Sequence, residues 1–180
     1  MAVQDSDIKV RLSTQSGSAG NSQASTPAAS IGKHMSTTDL VDASVENLFA
    51  NITAAEAATG KTVYRCIFVY NAHGSQTWQG VKAWIVSQTA GGGDLSIGLD
   101  PAGSVANNSA SAQAAVPAND TTAPTGVTFS QPTSEDDALS LGNIVAGNCY
   151  AVWARLTVAA DVAALNLDNA IIRFKGQSDP

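Results

Sequence analysis

The ten residues Thr62 to Asn71 (TVYRCIFVYN) constrain this chain more than any other stretch. In an extended strand, Tyr64, Cys66, Phe68 and Tyr70 project to one side, and Val63, Arg65, Ile67 and Val69 to the other. Both sides are largely apolar, so both must be covered, and the strand is expected at the centre of a sheet. No stretch offers a long helical period. The Ala-rich run Ala54 to Ala58 allows one helical turn, which Gly60 stops.

Further strands follow from the same alternation. Val81 to Gln88 (VKAWIVSQ) comes after the turn-rich Asn71 to Gly80 and is expected to fold back as a hairpin partner of the first strand. Leu95, Ile97 and Leu99 alternate after the glycine run Gly91 to Gly93. Pro101 to Thr125 is long, polar and proline-punctuated, and a short edge strand is expected within it near Ala112 to Val116. Val127 to Ser130, Leu139 to Leu141, Cys149 to Val158 and Ala170 to Lys175 bring the expected total to eight or nine strands. The expected fold class is all-β: an antiparallel β-sandwich, immunoglobulin-like or jelly-roll-like. Ile144, Gly147 and Tyr150 have the spacing of a tyrosine corner, which predicts an inward Tyr150 ring with its hydroxyl bonded to nearby backbone. The strand that follows puts Tyr150, Val152, Ala154, Leu156 and Val158 opposite Cys149, Ala151, Trp153 and Arg155.

Before this body the text is different. Ser13 to Thr37 consists mainly of Ser, Ala, Gly, Thr and Gln, after the short alternating run Ile8, Val10, Leu12. The expected division is an extended low-complexity arm at residues 1–37, a sandwich at 38–175 and a C-terminal tail at 176–180. Only Ile8, Val10, Leu12, Ile31 and Met35 give the arm sizeable aliphatic side chains, too few to repay the cost of ordering it. It is therefore expected to be ordered from outside, with Ile8 to Leu12 added to a sheet edge of this subunit or a neighbour. Its removal is expected to leave the sandwich folded. Ile8, Val10, Leu12 and Met35, with Trp78 in a turn, are the expected interaction residues.

Composition excludes several functions. Charged residues are only 13% of the 180, the formal net charge is −6, and the nine Lys and Arg are scattered singly. Such a chain repels a phosphate backbone, so no nucleic-acid partner is expected. The start of the chain has no basic and apolar signal pattern, and no run is long and apolar enough to span a bilayer, so synthesis in the cytosol without a membrane partner is expected. The sequons at Asn51, Asn107 and Asn119 would then go unused. Cys66 and Cys149 lie within apolar strand-like runs and are expected to be reduced and buried, facing each other across the sandwich without bonding.

Catalytic patterns are weak throughout. Gly60-Lys61-Thr62 matches the end of a phosphate-binding loop, but Ala55 replaces its first glycine and a strand follows instead of a helix. His34 in the arm and His73 in a turn are expected to be exposed loop histidines. Glu135, Asp136 and Asp137 are dense enough to suggest calcium, without the spacing of a calcium loop. Asp94 and Asp100 invite comparison with the carboxylate pair of a glycosidase. Trp84 and Trp153 fall in strands, which leaves Trp78 as the one candidate contact tryptophan for a receptor or glycan. These observations predict a protein that is not an enzyme, with no catalytic residues, cofactor or metal.

One longer pattern adds to this. The succession ENLFANITAAEAATGKTVYRCIFVYN, WQGVKAWI, TTAPTGVTFSQPTS and LSLGNIVAGNCYAVWARLTV resembles a family of small virion structural proteins of tailed bacteriophages in order and spacing, over roughly Val45 to Val158. The resemblance implies a virion location after synthesis in the host cytoplasm, homo-oligomeric assembly in the particle, and the major capsid protein or other virion proteins as partners. The role it implies is capsid decoration or cement, with a head-tail junction or tail component as the alternative. A receptor- or glycan-binding module is the alternative from another class.

Overall fold

The computed structural model describes residues 2–163 and 168–178. Eight strands are found among them: β1 (Ile8–Thr14), β2 (His34–Asp39), β3 (Lys61–Asn71), β4 (Trp78–Gln88), β5 (Asp94–Ala106), β6 (Leu139–Ile144), β7 (Asn148–Val158) and β8 (Ala170–Ser178). One short helix, α1 (Ala54–Thr59), precedes β3. The strands form two antiparallel sheets, of order β2-β1-β3-β7-β5 and β6-β4-β8, packed face to face as an all-β sandwich.

The central strand is where the alternation predicts it. β3 pairs along its whole length with β7, from Lys61 opposite Val158 to Tyr70 opposite Cys149. Ile67 and Val69, with Val152 and Ala154 of β7, enter the core between the sheets, where Val81, Ala83 and Ile85 of β4 meet them. Cys66, Phe68, Cys149, Ala151 and Trp153 lie on the other face, in a second cluster with Met35 and Ala114. The turn Ala54–Thr59 forms as expected: Thr53 and Glu56 cap each other, and Gly60 ends it at φ 77°.

Loops rather than a third sheet cover that second face. Residues 15–33 and 107–133 lie over it and bond to each other, with Lys33 N–H donating to Ala115 O at 3.1 Å and Gln113 N–H to Lys33 O at 2.7 Å. Gly32, at φ 90°, lets the chain pass against Ala115 O and the Trp153 ring, a place where any Cβ would collide. The Ser30 hydroxyl donates to Cys66 O at 2.6 Å and accepts from Ser13 N–H at 2.9 Å. Small side chains let these segments lie flat, and hydroxyls satisfy the backbone buried beneath them.

Several expectations are corrected here. Ile8 to Leu12 do add to a sheet edge, and it is this chain's own: β1 pairs with β3 on one side and β2 on the other, so residues 1–37 are not an arm outside the domain but part of the sandwich's large sheet. The reason is a vacancy: β7 takes one edge of β3, and the N-terminal segment supplies the other. Nor do β3 and β4 form a hairpin. The side-chain amide of Asn71 donates to Gln76 O and Ile144 O, both at 2.9 Å, folding the connection so that β4 enters the opposite sheet. Ala112 to Val116 and Val127 to Ser130 are covering loop, with a single bridge joining Ser130 to Ile97. Gly176, Gln177 and Ser178 of the expected tail belong to β8, and positions 179–180 lie outside the described residues. Tyr150 packs against the core between the sheets, but no hydrogen bond from its hydroxyl to backbone is found among the described residues, so the corner is only half built. Cys66 and Cys149 are free and buried, but share one face of one sheet instead of opposing each other across the sandwich.

Candidate protein-interaction surface

The expected interaction residues do not form a surface. Leu12, Met35 and Trp78 are buried, at 3%, 0% and 7% exposure, and Ile8 and Val10 are half-buried against the core. All five make contacts within their own domain. Trp78 opens β4 with its ring beside Gly176, so it is not a solvent-facing platform.

The candidate catalytic groups are likewise dispersed. Asp94 is exposed at the start of β5, and Asp100 is buried six positions along the same strand. That stretch separates them by about 20 Å at the rise of an extended chain, too far for a glycosidase pair. Asp100 is committed to structure: it accepts from Trp153 Nε1 at 2.9 Å, Ala115 N–H at 2.8 Å and Ala102 N–H at 3.0 Å. Asp137 turns inward on its own loop, accepting from the backbone of Thr133 and Ser134 and from the Ser134 hydroxyl, which hold its carboxyl below the usual range. Glu135 bonds Lys175 at 2.5 Å, and that pairing lowers its pKa. Among the described residues, no group of three His, Cys, Asp or Glu side chains could hold a metal ion.

The histidines separate. His73 is in the expected turn, accepting at Nδ1 from the Ser75 and Gln76 N–H groups. His34, expected to be exposed, is buried in β2 at 1% exposure, because β2 is a sheet strand and not part of an arm. Its Nδ1 has no hydrogen-bond partner among the described residues, and burial, with Lys33 adjacent, lowers its pKa.

One sheet face stays open. The large sheet is covered on both sides, by the small sheet and by the loops. Its edges are also blunted: Thr37 N–H of β2 donates to Gln23 O at 2.8 Å, and Ile97 of β5 exchanges two 2.9 Å bonds with Ser130. On the small sheet, β8 alternates cleanly, with Ile172 and Phe174 packed toward the core and Ile171, Arg173 and Lys175 exposed. Val86 of β4 is exposed beside them. Arg173 lies over the Trp84 ring, 5.8 Å from its centroid, and Lys82 Nζ donates to Glu135 O at 3.3 Å. The result is a cationic strip with apolar residues beside it, on a chain of net charge −6, running along an open depression of about 430 Å³ lined by Lys82, Glu135, Asn143 and Lys175.

Sequence reasoning had passed over Lys82, Arg173 and Lys175 as surface residues of this face, while Trp84, at 6% exposure, is buried beneath Arg173. The signal was the period-two pattern of Ile171 to Lys175, apolar inward and cationic outward, which marks a strand with one solvent face. Comparison with models of known protein families, with curated proteins and with solved structures finds no match for this chain.

Proposed function

We propose that this chain is a non-enzymatic structural protein of a tailed-bacteriophage virion, acting as a capsid decoration subunit that bridges major capsid subunits. The observation that carries the reading is the contrast between the two sheets. The large sheet is covered on one face by the small sheet and on the other by loops, and its edges are blunted, whereas the small sheet presents an outer face with exposed Ile171, Arg173 and Lys175 and the long edge of β8. The depression on this face, lined by Lys82, Glu135, Asn143 and Lys175, is open and polar. It suits another protein surface better than a small molecule, which needs an enclosing, largely apolar pocket. The buried polar side chains support the same view, since Asp100, Gln113, Ser13 and Ser30 hold loops in place instead of converging on a substrate. Repetition by symmetry would turn modest contacts into firm attachment.

Gel quantification of purified particles tests this. A decoration subunit occurs in copy number comparable with the major capsid protein, and particles lacking it lose their heads at lower temperature. A small symmetric copy number would assign the chain to the head-tail junction or the tail, and its absence from particles would end the virion reading.

A further inference from the structure

We infer that the free edge of β8 accepts an extended acidic segment of a partner protein as a fourth strand of the small sheet, held by the backbone of Ile172 and Phe174 and by the side chains of Arg173 and Lys175. The inference deepens the proposed structural role and rests on it for the existence of a protein partner.

The backbone geometry follows from one hydrogen bond. Ile85 N–H donates to Pro132 O at 2.8 Å, so the backbone of Ile85 points away from β8, toward the edge of β4 that β6 occupies further along. Ile172, directly opposite Ile85, therefore faces it as a non-hydrogen-bonded pair, and its own N–H and C=O point to the free edge. Two residues along, Phe174 stands opposite Ala83 and has the same orientation. No strand or loop pairs with this edge among the described residues. A nine-residue strand with outward N–H and C=O groups is a template for strand addition.

Five strands face only three, so β8 is the margin of the small sheet, and Leu40, Leu48 and Phe49 from the loop after β2 also pack against the core between the layers. Ile172 and Phe174 lie at that margin, only partly buried against the core, and an added strand with apolar inward residues would cover them.

Charge selects the occupant. Lys82, Arg173 and Lys175 share the outer face with one ion-paired carboxylate, Glu135, whose bond to Lys175 is exposed. Glu135 already shows how a carboxylate is received there. A second copy of this chain is disfavoured in most registers: antiparallel pairing of β8 with itself centred on Phe174 sets Arg173 against Lys175 of the other copy, and centring on Arg173 or Lys175 sets each against itself. Only centring on Ile172, with Arg173 opposite Ile171, escapes like-charge pairs, and a peptide-free dimer is the outcome that would reveal it. An incoming strand with carboxylates at alternate positions makes the opposite, favourable pairs.

The test uses the full chain and two labelled synthetic peptides of about ten residues, one alternating valine with glutamate, the other valine with lysine. Fluorescence anisotropy should show the glutamate peptide binding at least about tenfold tighter, from two cross-strand charge pairs changed from like to opposite. Amide exchange should slow at Ile172 and Phe174. Arg173→Glu combined with Lys175→Glu should reverse the preference, and these exposed changes leave the core intact. Ile172→Pro removes an outward N–H without taking a bond from β4 and should abolish binding; should it fail to fold, the charge-reversal pair still decides. Equal affinity for the two peptides, protection at another edge, or a peptide-free dimer protecting the same amides would overturn the inference. Particle quantification separates the two claims: a chain abundant in particles that binds neither peptide loses strand acceptance but keeps its virion role, and a chain that binds the glutamate peptide yet is absent from particles does the reverse.

Discussion

The indole Nε1–H of Trp153 donates to Oδ2 of Asp100 at 2.9 Å, and the same oxygen accepts from Ala115 N–H at 2.8 Å. One buried carboxylate thus joins β7, β5 and the loop covering the sheet. Asp100→Ala would leave these buried donors without acceptors and is expected to cost about 3 kcal/mol or more, at 1–3 kcal/mol for each unsatisfied group. Asp100→Asn retains one acceptor oxygen and should cost less. Urea unfolding monitored by tryptophan fluorescence measures both.

Removal of residues 1–37 should prevent folding. It deletes β1 and most of β2, bares one edge of β3 and takes Met35 from the cluster around Phe68 and Trp153. Loss of the near-ultraviolet dichroism of the tryptophans and aggregation on expression are the expected results. A soluble truncation with a cooperative unfolding transition would contradict this account.

The thiols predict an alkaline limit to stability. Burial pushes Cys149 up to about 12 and Cys66 well above its ordinary value of 9.0. Both are neutral in the fold, while in the unfolded chain they ionise above their ordinary value. The stabilisation is thus fully present below about pH 8.5 and is lost as pH rises toward the folded values, by at most about 1.4 kcal/mol per pH unit for each thiol. Urea midpoints from pH 8 to 10.5 should fall more steeply for the native chain than for Cys66→Ala with Cys149→Ala. Neither thiol should react with a thiol reagent until the protein unfolds.

Trp78→Ala is expected to act on stability. The ring is buried at the head of β4, so its truncation should cost about 3–5 kcal/mol. A thermal melt checks this; an unchanged midpoint would show that the ring contributes nothing to the core.

Local periodicity was enough to read much of this protein. The two-sided alternation of Val63 to Tyr70 required a strand covered on both faces, the faces of β7 followed from Tyr150 to Val158, and Gly60 stopped the short helical run of Ala54 to Ala58. Each of these depends on neighbours within a few positions, and is therefore written in the chain itself. Tertiary structure alone decided which strands share a sheet and what lies over them. Ser13 to Thr37 resembles a disordered arm because its burial is mostly of polar atoms, and their partners are remote: Met35 N–H donates to Gln113, 78 positions away, and Asp100 reaches Trp153 across 53. The same holds for the open face. The alternation of β8 was visible, but its free edge depends on β4 crossing to the small sheet, where three strands face five. Pairing of that kind depends on which edges are vacant once the whole chain has folded, and local pattern does not encode it.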